Sequence, residues 1–412
     1  MQIERCKGCS DLTAQDMLRF RSVETAFQET SKNYGYDEIR TPTLEYLHLF
    51  TSAGTLTPGM LRRVYSFLDW DGWSGERVVL KPDTTIPTAR FYIERMQHQG
   101  YPARLCYVTN SFIFEETGSK SRERWQCGAE LIGDGGELAD AELIAFACDA
   151  VKRMGLGNIE IKFSHAGLIH GLLANLGMDH TEQGAVLSRI LDGEMNALDG
   201  MDVCNPQAVE ALKLLLNTKG SSAGLLKNLR ALFAADILDV HNELSGFIST
   251  IEMVEAMGWT YHIDFTSGKG FEYYTGIIFR LFVDGVNIGG GGRYDKLVEM
   301  MGGTAAPAAG FGLYIDRLSA LINIDNLYVP VSQRVSVSIA PNAMKFGCEV
   351  LSLLRQTGCV VLMGLDGKPA HDCGWELEVK TDEPQLVLLN CGTGEKNECF
   401  NAIEVVALVG IG

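Results

Sequence analysis

GFEYYTGIIFRLFVDGVNIGGGGRYDKL, residues 270–297, is the stretch on which the fold turns. YYTGIIFRLFV (273–283) has the aromatic and β-branched composition of a strand. Asp284-Gly285 is the dipeptide that favours a two-residue hairpin, and VNIGG returns from it. The run Gly289–Gly292 then leads into RYDKLVEMM, which reads as a helix. Just downstream, AAGFGLYIDRLSALI (308–322) reads as a strand passing into a helix and closes a first domain near residue 323.

Upstream, YHIDF (261–265) is a strand, and the region from about 166 to 257 is helical in pattern. NIEIKF (158–163) alternates apolar and polar residues as a half-buried strand does. A helix is expected over about 137–154, after two strands, 104–116 and 125–133, joined by the polar segment TGSKSRER. RVVLKPDTTIPTARFYIER (77–95) reads as a short buried strand, a loop around Pro82 and Pro87, and a helix. The first helix begins at a capping box of Thr13 and Asp16, with Met17, Phe20, Val23 and Phe27 at helical spacing. YDEIRTPTLEY then continues as an extended segment broken by Pro42.

Beyond a boundary in NLYVPVSQR (326–334), RVSVSIA, a helix over Asn342–Gln356 and CVVLM make one βαβ unit. Strands at WELEV, QLVLL and EVVALV complete a small domain. The expected organisation is a core over 1–325, with a helical insertion at about 166–257, and a C-terminal α/β domain over 331–412.

The bulk properties fit a globular chain. Of 412 residues, 46% are hydrophobic and 21% charged, enough to bury a sizeable core. No stretch reaches the roughly 18 uninterrupted apolar residues of a membrane span, and MQIERCKGCSDL has no apolar signal segment. Eleven scattered cysteines read as reduced thiols in a cytoplasmic protein. Cys6 and Cys9 form the only CxxC; a zinc site needs a second pair, so no metal is expected. The net charge of −17 argues against a nucleic-acid partner, because phosphate neutralisation dominates such affinities. The 331–412 segment is itself acidic, with six Lys plus Arg against ten Asp plus Glu.

KPDTTIPTAR (81–90), the strand pair from Phe112 to Glu130, GFEYYTGIIF (270–279), GGGGRYDKL (289–297) and GFGLYIDRL (310–318) occur in one order along residues 1–323. Together they resemble histidyl-tRNA synthetase. The resemblance implies an α+β, class II synthetase-like core: an antiparallel sheet flanked by helices, paired into a homodimer through the first helix and the following strand. It also implies a histidine pocket. Asp83 and Thr85 would meet the α-amino group, Gln126 and Glu130 would lie beneath, and Tyr273 and Tyr274 would face the imidazole.

The residue chemistry agrees. A histidine zwitterion needs acceptors for its ammonium and partners for both ring nitrogens, which carboxylates, an amide and phenols supply. Gln126 and Glu130, four apart on a strand, share a face. Each residue also has a plain structural explanation. Tyr273-Tyr274 suits packing, Asp83 suits a helix cap, and the glycine run suits close strand approach. A dinucleotide reading of that run fails for want of an acidic residue on a second strand. The joint occurrence favours the pocket.

Three positions bear on ATP chemistry. Synthetases that activate histidine carry Phe-Arg-x-Glu, whereas this chain has Phe112-Ile113-Phe114-Glu115. Adenylation builds charge on the α-phosphate, and each lost donor costs roughly 100- to 1000-fold in rate. Lys269 stands where the family has a second arginine and lacks the planar fork. Arg317 retains the third. LKPDTTIPTAR and CGAELIGDGGELADAELIA (127–145) further resemble the regulatory subunits of ATP phosphoribosyltransferase, synthetase-like proteins with degenerate ATP motifs. That resemblance implies no catalysis and no cofactor of its own, and a short-form ATP phosphoribosyltransferase catalytic subunit as partner. It also implies histidine as feedback effector, with no tRNA and no membrane among the partners. An active histidyl-tRNA synthetase and a stand-alone synthetase-like amino-acid sensor are the alternatives.

Overall fold

The structure is a computed structural model. It describes residues 3–52, 61, 63–69, 75–114, 121–178, 182–183, 186, 189, 205–233, 238–267, 273–323, 334–357, 359–364 and 372–409. The chain divides into two units, Met1–Ile324 and Asp325–Gly412.

The first unit opens with α1 (Ala14–Asn33), started by the reciprocal Thr13–Asp16 capping box. Then come β1 (Asp37–Glu38), β2 (Leu44–Tyr46), α2 (Leu47–Ser52), β3 (Ser66–Leu68), β4 (Arg77–Leu80) and α3 (Thr85–Arg95). The long hairpin β5 (Ala103–Phe112) and β6 (Glu123–Ile132) follows, with α4 (Glu137–Arg153) and β7 (Ile159–His165) after it. The helical region holds α5 (Ala166–Ala174), α6 (Pro206–Asn217), the two-residue β8 (Lys219–Gly220), α7 (Ala223–Leu232) and α8 (Leu238–Ala256). β9 (Thr260–Asp264), β10 (Ile277–Val283), β11 (Val286–Arg293), α9 (Leu297–Met300), β12 (Ala308–Tyr314) and α10 (Ile315–Leu321) complete the unit.

Among the described residues, nine strands form one sheet in the order β1-β5-β6-β12-β11-β10-β7-β9-β8. Its centre, β5 through β7, is antiparallel throughout, while β1 joins β5 and β9 joins β7 in parallel. The sheet is therefore mixed at its margins rather than purely antiparallel. β2, β4 and β3 make a separate small sheet. The α1 and α4 helices cover one face of the large sheet. There Phe27 stacks on Phe146 with ring centroids 5.5 Å apart, and the Phe311 edge meets Phe146 at 5.2 Å.

The hairpin turns at Asp284 and Gly285, with φ of 48° and 78°, as a two-residue turn with both centres left-handed requires. Two local expectations need correction. The helix expected over RYDKLVEMM does not begin at Arg293: the glycine run and Arg293 are all paired with β12 as part of β11, and the helix shrinks to α9. Pro87 lies in the first turn of α3, not in a loop, at a position where a missing N–H costs nothing.

The second unit contains β13 (Arg334–Ile339), α11 (Met344–Gln356), β14 (Val360–Met363), β15 (Trp375–Val379), β16 (Leu386–Asn390), β17 (Lys396–Cys399) and α12 (Ala402–Val409). β13 and β14 pair in parallel around α11, β15 joins the other edge of β13 also in parallel, and β16 and β17 follow as antiparallel strands. EVVALV, expected as a strand, is the body of α12. Asn401 Oδ1 accepts from Glu404 N at 3.0 Å and Glu404 Oε2 accepts from Phe400 N at 2.9 Å, a reciprocal cap that outweighs the β-branched run. Ala402, Val405 and Val409 are the buried stripe, at helical spacing.

Candidate functional site

The side of the large sheet away from α1 and α4 is organised in rows of paired residues, which share a face across strands. One row runs Leu105, Glu130, Gly310, Gly292, Ile278 from β5 to β10. The next runs Tyr107, Gly128, Gly312, Gly290, Arg280, and a third brings Thr109, Gln126 and Tyr314 together. Five glycines on three adjacent strands therefore make a floor of bare backbone. Side chains there would collide: a Cβ would lie 2.6 Å from the Tyr107 hydroxyl at Gly128 and 2.7 Å from the Tyr274 ring at Gly292.

Above this floor is a cavity of about 540 Å³. Asp83, Thr85, Gln126, Tyr273 and Tyr274 all line it, together with Arg280, Asn287 and Arg317. Glu130 lies just below, 1% exposed. The structure thus brings together the six residues singled out for the amino-acid pocket. Gln126 Nε2 donates to Thr84 Oγ1 at 2.8 Å, and Tyr273 stacks on Tyr274 at 4.6 Å with the rings 25° apart. Asp83 also does the plainer job: its Oδ1 accepts from Ile86 N at 2.8 Å and caps α3. Burial pushes its carboxyl up to about 6, against the amides of Ile86 and Thr85. The fully buried Lys81 anchors this segment, donating to Thr41 and to Thr109 Oγ1 at 2.9 Å; burial pulls its ammonium down to about 8.

Glu130 is the electrostatic centre. Thr85 Oγ1 and Tyr107 OH donate to its Oε1 at 2.8 and 3.1 Å, and Tyr294 OH donates to its Oε2. Burial pushes the carboxyl up to about 8; the Tyr294 and Thr85 hydroxyls oppose the shift and Asp83 adds to it. A carboxyl that holds its proton near neutrality can donate as well as accept, which suits a ligand ring with one donor and one acceptor nitrogen.

Tyr107, Tyr294, Thr84 and Arg280 were not singled out by sequence. Tyr294 sits inside the quoted GGGGRYDKL, and Arg280 alternates with Ile278 along β10, so both left a signal. Tyr107 enters only through the β5–β6 register.

The positions tied to ATP chemistry differ in surroundings. Ile113 follows the end of β5, and its N–H donates to Arg122 O at 3.0 Å; its side chain carries no donor. Arg317 is engaged within the chain, donating to Asn287 O and Oδ1 at 2.6 and 3.0 Å with its guanidinium 4.6 Å from the Tyr314 ring centre. Lys269 lies outside the described residues, as do Thr117–Lys120 of the polar segment. Among the described residues no group of three or more His, Cys, Asp or Glu is placed to hold a metal ion. Nor is any helix among them long and apolar enough to cross a membrane.

Comparison with known proteins places this architecture. The histidyl-tRNA synthetase family model matches residues 8–318. An ATP phosphoribosyltransferase regulatory subunit of Dehalococcoides mccartyi is 46% identical over 407 residues, covering 99% of this chain and 98% of the relative. A histidine–tRNA ligase of Pyrococcus furiosus is 32% identical over 402 residues, 92% of this chain and 90% of the ligase. A crystal structure from Bacillus halodurans, described as an ATP phosphoribosyltransferase regulatory subunit/histidyl-tRNA synthetase, superposes with a TM-score of 0.77 at 26% identity, covering 90% of this chain and 95% of that one. The chain belongs to the histidyl-tRNA synthetase family and, within it, to the ATP phosphoribosyltransferase regulatory subunits.

Proposed function

We propose that this chain is a non-catalytic partner of a short-form ATP phosphoribosyltransferase catalytic subunit, and that histidine bound above the glycine floor lowers the activity of the complex. The observation that carries the reading is a contrast between one cavity and the positions tied to ATP chemistry. The acceptors and phenols suited to histidine, Asp83, Gln126, Tyr273 and Tyr274 with Glu130 beneath, stand around one space. At the position where a synthetase aims an arginine at the α-phosphate stands Ile113, and Arg317 is tied to Asn287. A site able to hold an amino acid without activating it suits sensing. The relatives' shared name supplies the enzyme whose activity is sensed, and with it the first step of histidine biosynthesis.

The working unit is a cytoplasmic hetero-oligomer built on a homodimer through α1 and the strand after it, with no tRNA among its ligands. Feedback of useful size needs histidine to favour one state of the complex by about 1–3 kcal/mol. The test is to purify the chain with a short phosphoribosyltransferase subunit and titrate histidine by calorimetry and by activity. Copurification and inhibition that is lost in Gln126→Ala and Glu130→Ala are expected. Full inhibition in both variants would refute the pocket, and histidine-dependent pyrophosphate exchange with ATP would favour the synthetase reading instead.

A further inference from the structure

The CxxC at the N-terminus is not used by the pocket, and its surroundings are specific. Cys6, Lys7, Gly8 and Cys9 form a tight turn closed by Cys9 N donating to Cys6 O at 3.1 Å, with Gly8 at φ +81°. A turn of this kind holds its first and fourth Cα atoms within about 7 Å. That overlaps the roughly 4.4–6.8 Å that a disulfide spans. Cys6 and Cys9 are therefore neighbours across the turn, with Cys6 Sγ donating to Lys7 O at 3.9 Å; burial, Cys6 and Glu123 push the Cys9 thiol up while Arg122 pulls it down. Cys6 is exposed and Cys9 half-buried; Cys348 and Cys391 are also exposed and Cys373 half-buried, whereas Cys106, Cys127, Cys148, Cys359 and Cys399 are buried.

The turn is docked on the β5–β6 hairpin at its connection end, directly before β6 begins. Arg122 N donates to Gly8 O at 2.8 Å, and the Gly8 Cα packs on the Arg122 side chain so closely that a Cβ would lie 2.8 Å from Cγ. Arg122 in turn accepts from Ile113 N, and its guanidinium lies 4.8 Å from the centre of the Phe114 ring. The same strand runs on from Glu123 to Gln126 and Glu130.

We propose that Cys6 and Cys9 are a thiol–disulfide exchange site, oxidised by a low-molecular-weight disulfide, and that the resulting disulfide stiffens the turn that clamps Arg122. The exposed Cys6 thiolate attacks the oxidant, breaking its S–S bond, forming a mixed disulfide and releasing one thiol. The Cys9 thiolate then attacks the Cys6 sulfur, closing the Cys6–Cys9 bond and releasing the second thiol. The two protons given up by the protein thiols leave on the two released thiols, and the oxidant gains two electrons.

The test uses the full chain in oxidised glutathione, with alkylation of remaining thiols and peptide mapping. Cys6 and Cys9 are expected to lose alkylation together, giving a peptide lighter by two hydrogens. Cys9→Ser is expected to accumulate a glutathione adduct on Cys6 that the native chain does not keep. Persistent alkylation of both cysteines, or a lasting Cys6 adduct in the native chain, would overturn the proposal. Amide exchange at Arg122 reads the clamp: it is expected to slow roughly tenfold on oxidation, since closing a short loop removes that order of conformational freedom. An unchanged Arg122 rate would refute the coupling to the hairpin.

Discussion

Glu130 and Gly310 face each other across the β6–β12 pairing, and the carboxylate of the first occupies the space where a side chain on the second would stand. Gly310→Ala therefore forces the buried carboxyl away from Thr85, Tyr107 and Tyr294. Overpacking of this kind costs about 1–3 kcal/mol, to be read by chemical denaturation, and histidine titration of the same variant should show weakened binding.

Glu130 also gives the protein a pH signature. Its folded carboxyl titrates near 8 against an ordinary value of 4.5, so between those values the folded state holds a proton that the unfolded state has released. Stability must then fall as pH rises, by up to about 1.4 kcal/mol per unit for one such group. Asp83 and Asp140, both near 6, act in the same direction at lower pH, whereas the buried His165, pulled down to about 3, and Lys81, pulled down to about 8, act in the opposite direction, up to about pH 7 and from about pH 8 upward respectively. The Glu130 contribution is therefore read as a difference: across about pH 6–8, denaturation midpoints should fall more steeply in the native chain than in Glu130→Gln.

Arg293, 7% exposed, is clamped by Asp140 at 2.7 Å and also donates to Asp134 O, Gly136 O and Asp295. Asp140→Ala removes the two-pronged, more buried partner of a guanidinium that keeps Asp295 and two carbonyls, and should cost about 3 kcal/mol, the low end for breaking a buried pair. Adding Arg293→Met should recover part of that loss. A double variant as unstable as the sum of the singles would show that the two residues do not act as a pair.

In the C-terminal unit, Asn401→Ala removes the cap of α12 and should cost about 1 kcal/mol. Faster amide exchange along Ala402–Val409, with the β15–β16 amides unchanged, is the expected pattern.

The contrast between α12 and the central hairpin marks what could be read from residues alone. The hairpin carried its own local instruction in Asp284-Gly285, and α1 carried its capping box, so both are as expected. EVVALV is apolar at every position but one, and its helical state rests on a cap two residues upstream of any periodic signal. The length of β11 was hidden for a related reason: glycines have no side-chain pattern, and only the β12 partner assigns them to a strand. Within the pocket, motif resemblance located Asp83, Thr85, Gln126, Glu130, Tyr273 and Tyr274. Tyr107 became visible only through strand register, a long-range property with no local trace.

The glycine floor has one more consequence. Four of its five positions are barred to larger residues by the scaffold itself, through Phe311 O and Tyr107 at Gly128, Phe279 O at Gly290, Tyr274 at Gly292, and Glu130 at Gly310. Any drift that filled the hollow from below would first have to break the sheet. The hollow is therefore a property of the strand pairing itself, and substitutions at its rim can change what it holds without changing the space available.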